Sequence, residues 1–146
     1  MRTENTVTES NAIAELIADS ALPLSLVQVQ QLSPAALAYL GDGVYELYIR
    51  RLYLFPPKRM HAYHQQVVAQ VRAEQQAVHL QNLWPHLSEP EREVVKRGRN
   101  AATGRPKRIT LEIYQQATGL ETLIGYLYLT DADRLQQILA HLAICA

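Results

Sequence analysis

An aspartate with a glycine on each side interrupts an apolar helical stripe in the stretch "AYLGDGVYE", Ala38 to Glu46. Around it Leu37, Leu40, Val44 and Leu47 recur at three- and four-residue steps, the spacing of one helix face. Each glycine inside a helix costs about 1 kcal/mol relative to alanine. A carboxylate near the core costs more unless it is paired or ligated. A chain that keeps this stretch must fold so that something offsets both penalties.

The rest of the chain also reads as helix, so the expected fold class is all-α. Ser33 before Pro34 supplies a hydroxyl cap and a proline where no amide donor is needed. The helix they open should run to about Leu54, where "FPPK" ends it. A second long helix is expected from Lys58 to Leu83. Ser88 and Glu91 have capping-box spacing and open a third, with Val94 and Val95 inward. "GRNAATGRPKRIT", residues 98–110, reads as a loop by its glycines and proline. Thr110 caps a helix to about Thr130. Asp131 or a neighbour starts the last one, with Leu135, Ile138, Leu139 and Leu142 as its stripe. A short amphipathic piece is expected between Asn11 and Asp19, which divides the chain into a tail, 1–28, and a domain, 29–143.

Composition narrows the function classes. At 146 residues and 48% hydrophobic, the chain suits one domain with a real core. Its single cysteine, Cys145, leaves no internal disulfide framework or multi-cysteine zinc site and suits a reducing cytosol. "MRTENTVTES" has no apolar core for a secretory signal. The best apolar run, "LIGYLYL", falls well short of a membrane span. A cytoplasmic protein with no membrane partner is expected.

Net charge is zero, but the charges are unevenly placed. Seven of the fourteen Lys and Arg lie between Arg92 and Arg108, where Glu93 is the only acid. A neutral total can therefore hide a strongly polarised surface. Against a merely solvated face stands the composition of "REVVKRGRNAATGRPKR". Guanidinium groups bind phosphate bidentately, and glycine lets a backbone approach. No aromatic residue interleaves with these charges, which favours a duplex backbone over single-strand stacking.

A second acid mirrors the first. In "TGLETLIGYLYL", Glu121 sits beside Leu120, Leu123, Ile124 and Leu127. Its neighbours at three and four residues include the small Ala117, Thr118 and Gly125; Asp42 has Ala38 one turn before it. Two readings stay open. Each acid caps or salt-bridges within the bundle, or the two carboxylates, from separate helices, hold Mg²⁺. A bound ion would offset the buried charge and activate water for attack on phosphorus. Glu46 reads as an ion-pair partner of Arg50 rather than an outer ligand. His61 and His64, one turn apart, read as exposed polar residues. No G-x-x-x-x-G-K-[ST] loop and no nucleophile elbow is present.

Three motifs, in order, resemble one family. "ALAYLGDGVYELYIR" resembles the signature helix of the ribonuclease III catalytic domain, and "GLETLIGYLYL" resembles its second acidic motif. "KRGRNAATGRPK" is similar to the short bacterial branch, Mini-ribonuclease III, which has no appended double-stranded RNA-binding domain. The match runs from about Leu32 to Leu142.

The resemblance implies a ribonuclease III endonuclease-domain bundle. It implies a homodimeric, Mg²⁺-dependent endoribonuclease that cuts double-stranded RNA and leaves 5′-phosphate and 3′-hydroxyl ends. The branch is associated with trimming the stalk of precursor 23S ribosomal RNA, and a ribosomal-protein helper is compatible with that role. By position, Asp42 and Glu121 match the catalytic, metal-holding acids. Lys96, Arg97, Arg99, Asn100, Arg105, Lys107 and Arg108 are candidates to hold the RNA, with Lys58 and His61 as a further candidate contact.

Two positions depart from the larger enzymes of the family, which carry acids where this chain has Ala38 and Thr118. The alternative is therefore a catalytically degenerate ribonuclease III-like domain, acting as a structural RNA-binding or ribosome-assembly protein. A plain helical interaction module would leave both acids and the basic segment unexplained.

Overall fold

A computed structural model describes residues 24–142, and all regular structure among them is helical. The chain divides between Gln31 and Leu32 into two compact units. In the first, the described helix is α1 (Leu26–Gln30), closed by a capping box between Ser25 and Gln28. The piece expected over Asn11 to Asp19, and Cys145, lie outside the described residues.

The second unit contains α2 (Pro34–Tyr53), α3 (Met60–Val71), α4 (Ala73–Leu83), a 3-10 turn (Trp84–His86), α5 (Glu89–Ala101), α6 (Leu111–Thr130) and α7 (Ala132–His141). The caps are those that the sequence dictates. Ser33 Oγ accepts from Ala36 N at 3.1 Å. Ser88 and Glu91 close a capping box, and Thr110 and Asp131 accept from Ile113 N and Arg134 N. Helix α6 is the centre of the unit and contacts α2, α4, α5 and α7. Its Leu120, Leu123 and Ile124 are wholly buried; each such side chain contributes about 1.5–3 kcal/mol. All four residues of the expected α7 stripe are buried with them.

Three expectations change. The helix expected over 58–83 is two helices, broken at Arg72, whose ψ of 151° is extended. No glycine or proline marks the break. It is held by one local and one long-range bond: the Gln76 side-chain amide donates to Val71 O at 3.1 Å, and Tyr45 Oη donates to Gln70 O at 2.9 Å. The segment read as a loop from Gly98 begins later, because α5 continues to Ala101. Gly98 stays helical because α5 lies so close to α6 there: a Cβ on it would sit 2.2 Å from Thr122 Oγ1.

The inward face of α2 is also different. Leu37 is buried, but the rest of that face is Ala38, Gly41, Tyr45, Ile49 and Tyr53. Leu40 and Val44 are only partly buried, and Leu47 is 52% exposed. Small residues win where α2 meets α6, and the leucine face is left towards solvent.

Candidate active site

Asp42 and Glu121 line one open pocket of about 410 Å³, and they come from α2 and α6. The crossing of those helices is what brings them together. A Cβ on Gly41 would stand 1.8 Å from the backbone oxygen of Glu121, and one on Gly125 would stand 2.0 Å from that of Leu37. Only glycine at both positions allows two backbones so near. Asp42 follows Gly41 directly, so the tight crossing places its carboxylate against the α6 turn that carries Glu121.

The two acids differ in setting. Asp42 is exposed, at the rim, not the near-core charge that the stripe suggested; Glu121 is half-buried. Burial, then the nearby charge of Glu46, raises the Asp42 carboxyl above its ordinary range. Burial, then the charge of Asp42, pushes Glu121 up to about 8, against a smaller opposing effect of a hydrogen bond from Gln76. Neither acid makes a salt bridge among the described residues. Among the described residues no Lys, Arg or His lines the pocket. Glu46 is otherwise engaged, with Arg50 at 2.6 Å.

The basic segment forms a wall of the same pocket. Gly98, Ala101, Ala102, Thr103, Pro106 and Ile109 line it with small or apolar groups. Lys96, Arg97, Arg99, Asn100, Arg105, Lys107 and Arg108 are all exposed on the same stretch of chain. The turn is ordered by Tyr114 Oη donating to Thr103 O at 3.1 Å and by Arg105 Nη1 donating to Ile109 O at 3.1 Å. Gly104 takes the left-handed φ of +71° that the turn requires. Lys96 is drawn to Glu93 at 3.3 Å.

The remaining candidates lie elsewhere in the chain. Lys58 precedes α3 and donates to Tyr53 O at 2.5 Å, near the rings of Tyr53 and Tyr63. His61 and His64 are exposed on α3. Neither Lys58 nor His61 lines the pocket.

Sequence reading missed Gln76, which lines the pocket while only 2% exposed. The signal was there: Gln76 shares a helical face with Ala73, Leu80 and Leu83, and a polar residue on such a stripe calls for a reason.

The residues present fit a divalent cation. Mg²⁺ takes hard oxygens, often one or two carboxylates, and completes its shell with water and substrate phosphate. Two carboxylates raised in part by a neighbouring negative charge, in a pocket with no cationic side chain among the described residues, offer that donor set. The buried Gln76 Oε1, which has no hydrogen-bond partner among the described residues, adds a neutral acceptor.

Residues 35–132 match the Ribonuclease III domain model. The chain belongs to the ribonuclease III family, a class of endoribonucleases. It is similar to proteins named Mini-ribonuclease 3. The one from Synechocystis sp. is 61% identical over 118 residues, 81% of this chain and 82% of that protein. The one from Thermosynechococcus vestitus is 56% identical over 124 residues, 84% and 82% of the two chains. A crystal structure of a Fusobacterium nucleatum protein matches with a TM-score of 0.71 at 31% identity, covering 75% of this chain and 91% of that one. Among the described residues no helix is long and apolar enough to cross a membrane.

Proposed function

We propose that this chain hydrolyses phosphodiester bonds in double-stranded RNA, with Asp42 and Glu121 holding Mg²⁺. One observation carries the reading. Two acids with no salt-bridge partner among the described residues meet in a pocket of which the basic segment forms a wall. A duplex with one phosphate at the carboxylates would carry its flanking backbone past the exposed basic side chains of that segment. Mg²⁺, when bound, supplies Lewis-acid polarisation and an activated water.

The residues of this chain divide the remaining work. Glu121, half-buried, anchors from α6, and Asp42 reaches in from the rim. Both must be ionised to hold a cation, so the proton that burial keeps on Glu121 has to leave first. Arg97, Arg99, Asn100, Arg105, Lys107 and Arg108, with Lys96, would hold the duplex backbone, each guanidinium bridging phosphate oxygens. His61 offers a more distant contact, while Lys58 is committed to the end of α2.

The homodimer has its own support. Tyr39 and Leu47 on α2 are 86% and 52% exposed, and Leu54 and Phe55 just beyond its end are 54% and 77% exposed. Such a row normally meets a partner, and a second copy would set two pockets on the two strands of a duplex. Trimming of the precursor 23S ribosomal RNA stalk in the cytoplasm, with or without a ribosomal-protein helper, rests on the resemblance of "KRGRNAATGRPK" to the Mini branch.

Incubation with a long RNA duplex, with Mg²⁺ and with EDTA, tests the reading. Cleavage only with Mg²⁺, leaving 5′-phosphate ends, supports it. Binding without cleavage would instead select a degenerate, RNA-binding domain, which the uncharged Ala38 and Thr118 in the pocket favour.

A further inference from the structure

Gln76 stands one turn after the break at Arg72, and its side chain is 2% exposed. Its Nε2 donates to Val71 O at 3.1 Å, and the residue lines the same pocket as Asp42 and Glu121. Val71 O is an acceptor, so the amide cannot be turned over without setting oxygen against oxygen. That leaves Oε1 inside. It is a buried side-chain oxygen with no hydrogen-bond partner among the described residues. Leaving such a group unpaired costs about 1–3 kcal/mol, and native proteins rarely accept this without a functional return. The clamp on Val71 accounts for Nε2; it gives no account of Oε1.

We propose that Gln76 is a positioning residue of the reaction centre: with Nε2 held by Val71 O, its Oε1 accepts a hydrogen bond from a water held in the pocket beside Glu121. This rests on the assignment of Asp42 and Glu121 as the cation-holding pair. With only two carboxylates, most of a cation's shell is water, and the groups that orient outer contacts tune affinity by about 10–100-fold. Gln76 is the neutral side chain placed to do so, because it lines the pocket with Asp42 and Glu121 and its Oε1 is unpaired among the described residues.

The test compares wild type, Gln76→Leu, Gln76→Met and Asp42→Asn. Mn²⁺ binding to RNA-free protein is read by electron paramagnetic resonance, and cleavage of a long duplex gives kcat and KM separately. For Gln76→Leu the expected result is about tenfold weaker Mn²⁺ binding and about tenfold lower kcat, with KM for RNA within about twofold and an unchanged helical spectrum. Wild-type Mn²⁺ affinity and kcat in Gln76→Leu, beside an inactive Asp42→Asn, would overturn the role of Gln76 alone. Wild-type behaviour in Asp42→Asn would overturn the pair on which it rests. If Gln76→Leu does not fold, Gln76→Met, which keeps the length, is read in its place. Unfolding of both assigns Gln76 to the fold and overturns the proposal.

Discussion

Gly41 lies so close to Glu121 that a methyl group on Gly41 would stand 1.8 Å from the Glu121 carbonyl oxygen. The obstacle is backbone, which cannot rotate away as a side chain can. Gly41→Ala must therefore push α2 from α6, at a cost of about 1–3 kcal/mol or more. It also separates Asp42 from Glu121. A displacement of about 1 Å at a reaction centre costs about 10²-fold in rate. Thermal melts and cleavage assays should show both losses; an unchanged rate would mean that the crossing does not set the site.

The acid pair makes stability depend on pH. In the metal-free fold the Glu121 carboxyl is held up to about 8, against 4.5 for an ordinary glutamate. The folded chain thus keeps a proton that the unfolded chain releases, and stability falls as pH rises. The fall starts above 4.5 and is complete above about 8. Urea melts in EDTA across that range should be flatter for Glu121→Gln than for wild type. Parallel curves would contradict the burial of this carboxyl.

For the basic segment, salt dependence is the decisive readout. Arg97 and Arg99 are exposed and make no salt bridge among the described residues. Each phosphate contact contributes about 1 to the slope of log affinity against log salt. Arg97→Ala/Arg99→Ala should bind duplex RNA more weakly and with a slope smaller by about 2. An unchanged slope would return the segment to a solvated face.

The exposed apolar row on α2 and just beyond its end can be tested by charge. Leu47→Lys/Leu54→Lys alters side chains more than half exposed in the protomer, so its fold should be retained. Sedimentation should show a dimer for wild type and a monomer for the variant. A dimeric variant would place the interface elsewhere.

Local chemistry made much of this fold legible. Ser33, Ser88, Thr110 and Asp131 each cap the helix that their position announced, because capping is decided within four residues. The break at Arg72 was invisible because no glycine or proline marks it; a distant group, Tyr45 on Gln70, and a local side chain, Gln76 on Val71, hold it. The leucine stripe of α2 misled for a related reason. Helical period identifies an apolar face, but it cannot say whether the protomer or a partner covers it. Asp42 and Glu121 stood out as acids in apolar helices; Gln76, uncharged and in a glutamine-rich stretch, did not. That the two acids share one pocket depends on the Gly41–Gly125 crossing, which no single helix reveals.

The most direct measurement is cleavage of a long RNA duplex by Asp42→Asn in Mg²⁺, beside RNA binding by the same protein. Asparagine keeps the size of the side chain and removes the charge proposed to hold the cation. The expected result is loss of cleavage with the helical fold and duplex affinity largely intact. Cleavage at the wild-type rate would contradict the assignment of this pocket as the reaction centre.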